Sequence, residues 1–133
     1  MSNSSSFLGM GWAFPVEEEQ GQIALSRLED SVRESILLIV GTAKGERTMR
    51  PDFGCGIHEL VFAPNDTTTA AQISFEVREA LIDWEPRIEV MDVETTPDPA
   101  EGNKLFVNLK YRVRSTNNIF NLVYPFYLEQ TGG

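Results

Sequence analysis

The sequence predicts an α+β domain: two helices followed by a small antiparallel three-stranded sheet with a C-terminal hairpin. Apolar residues recur at helical spacing in two segments ahead of Pro86, and they alternate with period two in the segments after it. The 133 residues suffice for one core and leave nothing for a second. An apolar share of 41% with 23% charged residues is ordinary for a folded module, which argues against a disordered, collagenous or membrane-embedded chain.

The elements follow in order. Residues 1–16 form a polar tip, Ser2 to Ser6, and an aromatic arm carrying Phe7, Leu8, Trp12, Phe14 and Val16; the arm covers either its own core or a neighbour. Gly9, Gly11 and Pro15 interrupt this stretch and the first basic residue is Arg27, so no secretory signal is expected. Residues 17–130 form the single domain and 131–133 a flexible tail. Ser26 and Glu29 have capping-box spacing, and Leu28, Val32, Ile36, Ile39 and Val40 recur helically, which predicts a first helix from Ser26 to Val40. A second helix starts after Pro64 with Asp66 or Thr67 as cap. It carries the stripe Ala70, Ile73, Val77, Leu81 and Trp84, and stops before Pro86. Alternation then predicts strands, loosely over Arg87 to Glu94, clearly over Leu105 to Val113, and again over Ile119 to Leu128. The last of these carries apolar residues on both faces, so both are expected to be at least partly covered, and Pro125 marks it as an edge strand.

Net charge is −9, unfavourable for binding nucleic acid or anionic membrane. The segment Lys104 to Leu128 nevertheless holds four basic residues and no acidic one, with six aromatics, Phe106, Tyr111, Phe120, Tyr124, Phe126 and Tyr127. Its alternation favours a sheet that meets protein over single-strand binding. Cys55 is the one cysteine, so no internal disulfide forms and cytoplasmic folding is expected. With His58 it supplies two ligands of the four a structural zinc needs, and the pair lacks an orienting group for nucleophilic catalysis. No phosphate loop, dinucleotide fingerprint or nucleophile elbow is present, so no cofactor, metal or catalytic residue is assigned.

Two segments are denser than a loop and a helix end require. Gly45, Glu46, Arg47, Arg50, Pro51, Phe53 and Gly54 belong to a run through Gly56 that mixes two arginines with two carboxylates. That composition suits a compact loop held by charge-assisted hydrogen bonds, or an interface. Trp84, Glu85, Pro86 and Arg87 join helix to strand, and tryptophan and arginine are enriched at binding hot spots. Arg87 is read as a surface group that adds little to the fold.

These segments, with Phe7-Leu8-Gly9, Trp12-Ala13-Phe14-Pro15, Gly41-Thr42 and Asn121-Leu122, resemble the GPW-type baseplate wedge family of contractile tails. That family includes the sheath-initiator subunits of phages, extracellular injection particles and type VI secretion baseplates. The resemblance implies a structural role without turnover. Trp84, Glu85, Pro86 and Arg87 would dock on the wedge core-bundle proteins. Ile119, Phe120, Asn121, Leu122, Val123 and Tyr124 would accept strands from first-ring sheath subunits. The Arg47 and Arg50 loop would be structural or face the wedge, central spike or inner tube. The subunit would then leave the cytoplasm as part of a tail-like particle. The alternatives are a small peptidoglycan hydrolase of a tail baseplate, which needs a carboxylic acid of raised pKa and a second carboxylate across a cleft, and a free-standing adaptor that binds an unrelated strand.

Overall fold

The computed structural model describes residues 18–46 and 49–129; the N-terminal arm, Arg47 and the last four residues lie outside it. Helix α1 spans Glu18–Gly41 and helix α2 spans Thr67–Trp84, with a short 3-10 turn, Gly56–Leu60, between them. Strands β1 (Ile88–Pro97), β2 (Lys104–Val113) and β3 (Ile119–Tyr127) follow and form one antiparallel sheet in the order β1-β2-β3. The expected α+β class and the order of its elements are what the chain adopts.

Helix α1 begins eight residues ahead of the expected Ser26, which sits inside the helix and caps nothing. Gln20, Gln22, Ala24 and Leu25 are good helix formers, and Gly21 alone is too weak a break to stop propagation through them. Helix α2 starts as expected: the Asp66 carboxylate accepts from the Thr69 amide at 2.9 Å. At its other end the Glu85 amide donates to the Leu81 carbonyl at 2.9 Å, and Pro86 turns the chain away.

Both helices pack on one sheet face. Val32, Ile36 and Ile39 of α1 and Ile73, Val77 and Leu81 of α2 meet Leu105, Val107, Leu109, Tyr111 and Val113, every second residue of the central strand. Glu29 ties α1 to the β2–β3 turn, accepting from Thr116 Oγ1 and Asn118 Nδ2 at 2.7 Å each. The far end of α1 is fixed by His58: its Nε2 lies 2.9 Å from the Val40 carbonyl, an acceptor only, so the ring donates through this nitrogen.

Strand β3 departs from the expectation of cover on both faces. Leu122, Phe126 and the following Leu128 are buried, whereas Ile119, Val123 and Tyr127 on the other face are each about half exposed among the described residues. Both helices lie on the inner face, so nothing described is left to cover the outer one.

Candidate functional site

The two segments singled out from sequence come together in space. Between Gly41 and Gly56 the chain folds as a tight loop: the Gly45 amide donates to the Pro51 carbonyl at 2.8 Å, Phe53 to Arg50 at 3.0 Å and Cys55 to Thr42 at 2.8 Å. Gly54 has φ +125°, and a Cβ there would sit 2.5 Å from the Thr42 carbonyl oxygen, so only glycine fits. Of the expected charge-assisted bonding, the described part of the loop shows one bond, from the Ala43 amide to the Glu46 carboxylate at 3.2 Å. No ion pair lies in it, Arg50 stacks over the Trp84 ring at 4.7 Å, and Phe53 meets the same ring edge-on at 5.1 Å. For Arg50, an indole supplied by the end of α2 thus takes the place of a carboxylate, holding loop and corner together.

At the corner, Glu85 is 2% exposed, the one buried charged residue among those described. Arg87 grips it with two bonds, Nε to Oε2 at 2.8 Å and Nη2 to Oε1 at 3.1 Å. Burial pushes the Glu85 carboxyl up, but hydrogen bonds from Arg87 and Ser35 and the Arg87 charge outweigh it and hold the group below its ordinary range. Arg87 therefore has an internal task that the sequence reading did not assign it. The corner is pinned from the other side by Arg114, whose amide donates to the Arg87 carbonyl at 2.9 Å and whose Nε donates to the carbonyls of Pro86 and Ile88 at 3.1 Å each. Trp84 is half-buried and Glu85 buried, leaving Pro86 and Arg87 exposed. Sequence gave no sign of Arg114, because the contact depends on the β1–β2 register.

Among the described residues both outer edges of the sheet are unpaired, and they differ. Strand β1 carries a bulge between Val90 and Asp92 and acidic side chains at Glu89, Asp92 and Glu94, and is backed by α2, where Ser74 Oγ meets Thr95 Oγ1 at 2.8 Å. Strand β3 has no charged residue and an unbroken register with β2. That register fixes which backbone groups are free. The Val113 amide bonds to the Asn118 carbonyl and the Leu128 amide to the Asn103 carbonyl. By alternation, Phe120, Leu122, Tyr124 and Phe126 therefore spend their amides and carbonyls on β2. Ile119, Asn121, Val123 and Tyr127 point theirs outward, and Pro125 has no amide to offer there. Of the six residues expected to receive a strand, three present free backbone.

Cys55 and His58 do not converge on a metal or nucleophilic site. The Cys55 thiol is buried, lies 3.5 Å from the Glu76 carbonyl, and is pushed up to about 11, chiefly by burial. The described residues contain no group of three metal-ligating side chains, and no described helix is long and apolar enough to cross a membrane. A groove of about 670 Å³ between the 3-10 turn and α2 is lined by Glu59, Leu60, Thr68, Phe75 and Glu76 among others.

The sequence profile of the family "Baseplate wedge protein gp25" matches residues 26–118. This chain belongs to that family. Its match to the Baseplate wedge protein gp25 of Enterobacteria phage T4 is 33% identical over 83 residues and spans 62% of either protein. A Geobacter sulfurreducens crystal structure, provisionally named a tail lysozyme, is 56% identical, with a TM-score of 0.73 over 79% of this chain and 95% of that one. Two baseplate assemblies share the fold. A chain of the type VI secretion baseplate complex is 21% identical with a TM-score of 0.58, over 85% of this chain and 99% of its own length. A chain of the anti-feeding prophage baseplate is 23% identical with a TM-score of 0.52, over 74% and 68%. Family membership makes the protein a baseplate wedge protein.

Proposed function

We propose that this subunit docks on the core-bundle proteins of a baseplate wedge through the corner Trp84–Arg87 and the adjoining loop, and starts sheath polymerisation by accepting a strand on β3. The observation that carries the reading is the asymmetry of the two sheet edges. β1 is bulged, acidic and backed by a helix, whereas β3 offers the outward amides and carbonyls of Ile119, Asn121 and Val123 with no charge to repel a partner strand. The exposed outer face of β3 supplies the alternate side-chain contacts that give such pairing its specificity. Lys104, 5.4 Å from the Tyr127 ring, and Pro125 close the far end, so an added strand pairs along Ile119–Val123.

A Val123→Pro variant tests this. The Val123 amide faces away from β2 and the residue is 54% exposed, so proline removes an edge donor and leaves the internal ladder intact. The subunit should fold and enter baseplates, and sheaths should fail to grow on them. Sheaths of normal length and number on Val123→Pro baseplates would refute strand addition at this edge.

The name given to the Geobacter relative favours a second reading, a cell-wall hydrolase with Glu59 and Glu76 in the groove. General acid catalysis needs a carboxyl held protonated near neutrality. Among the described residues the one buried carboxylate, Glu85, is instead held ionised by Arg87. Peptidoglycan turnover by the purified protein that disappears in Glu76→Gln or Glu59→Gln would establish the hydrolase.

A further inference from the structure

Arg114 differs from the other arginines at this end of the molecule. Arg87 is committed to Glu85, and Arg112 to Glu89 and Asn117. Arg114 is anchored only at its inner end: Nε is shared between the Pro86 and Ile88 carbonyls, and the amide is bonded to Arg87. Its two terminal nitrogens have no hydrogen-bond partner among the described residues. Glu89, the carboxylate whose ionisation Arg114 favours, is already engaged by Arg112 Nε at 2.9 Å. The guanidinium fork is thus fixed in place and chemically unspent, beside the exposed Pro86. Ordering a long side chain normally costs rotamer entropy when an ion pair forms. Here folding has already met that cost, so a planar two-oxygen acceptor can be bound with little further loss.

We propose that Arg114 is the specificity contact of the docking corner and takes a carboxylate, from a side chain or a chain terminus, of a neighbouring baseplate protein. The proposal rests on the reading of Trp84–Arg87 as a docking corner. The −9 charge of the chain favours a protein carboxylate over a nucleic-acid phosphate, because a polyanion would be repelled by the rest of the surface.

The test uses baseplates purified from producing cells that lack this subunit, reloaded with the full-length protein. Arg114→Gln removes the charge. Arg114→Lys keeps the charge and a donor for the Pro86 and Ile88 carbonyls but has no fork, so it covers the case in which the glutamine variant fails to fold. Both are expected to load about tenfold more weakly. Loading of wild type should fall with added salt, and that of Arg114→Gln should depend on salt less steeply. Wild-type loading by either folded variant would overturn the proposal, as would losses that merely track melting temperature or an unchanged salt dependence. Pro86→Asp separates the two levels of the reading. Normal loading of all three variants removes the docking corner itself, whereas loss with Pro86→Asp alone removes only Arg114. A mobility shift of single-stranded DNA abolished by Arg114→Gln would assign the fork to phosphate and overturn the carboxylate.

Discussion

Replacing Arg87 by alanine should destabilise the fold as well as any assembly. The side chain supplies two charge-assisted hydrogen bonds, 2.8 and 3.1 Å, to a carboxylate that is 2% exposed. Removing one partner of a fully buried pair costs about 3–5 kcal/mol, because the other charge is left without compensation. The Arg87 side chain is 42% exposed, so water enters the gap and Ser35 remains as a donor to Glu85. The discounted cost is about 2–3 kcal/mol, or roughly 8–12 °C in melting temperature for a domain of this size. The pH dependence has a definite sign. A carboxyl held below its ordinary range contributes stability above its unfolded value, near about 4.3, and loses it as the pH falls through the folded value. The gap between wild type and Arg87→Ala should therefore be full at neutral pH and narrow in acid. Urea unfolding at neutral and acidic pH, within a double-mutant cycle that includes Glu85→Gln, measures the coupling directly. A coupling below about 0.5 kcal/mol at neutral pH would refute the reasoning and return Arg87 to the role of a surface group.

Other expectations follow from the same geometry. In the free subunit the amides of Asn121 and Val123 should exchange with solvent far faster than those of Phe120, Leu122 and Tyr124, and become protected only in particles; equal protection before assembly would count against the open edge. Leu122→Pro should unfold the hairpin, since that amide belongs to the internal ladder, and a circular-dichroism melt should separate it cleanly from Val123→Pro. Gly54→Ala should cost about 3 kcal/mol or more by urea midpoint. Gly45→Ala, at φ +89° with open space around its Cβ position, should cost only about 1 kcal/mol. Stability should decline in alkali from about pH 9, because the unfolded Cys55 thiol ionises there and the native one not until about 11. Tyr111 and Tyr124, raised by burial, act in the same direction at higher pH, and Cys55→Ala should remove the earlier phase.

The helices and strands were legible because their periods are strong: the stripe from Ile73 to Leu81 and the alternation from Leu105 to Val113 name buried positions almost one for one. The start of α1 was not, because Ser26 and Glu29 satisfy a capping box as well in a helix interior as at its end, and only the residues ahead of them decide. In the loop after α1, composition suggested charge-assisted hydrogen bonds and Glu46 makes one, but the aromatic partner of Arg50 comes from the end of α2, more than thirty residues away, and local composition carries no trace of it.

The candidate site shows the same division. That β3 is an edge could be read from Pro125. Which residues face the edge could not, because in an antiparallel ladder the inward and outward backbone groups alternate, and a register shift of one residue exchanges them. Side-chain burial does not substitute for register here. On β3 the exposed side chains and the outward backbone groups fall on the same residues, Ile119, Asn121 and Val123, whereas on β1 the buried Ile88 and Val93 are the ones not bonded to β2. The Val113–Asn118 and Leu128–Asn103 bonds at the two ends of the hairpin decide it. A strand added to β3 would meet backbone and exposed side chains of the same residues, while one added to β1 would meet backbone belonging to residues whose side chains are already committed to the core. Strand addition at β3 would therefore have a side-chain code that β1 lacks, carried by Ile119, Asn121 and Val123.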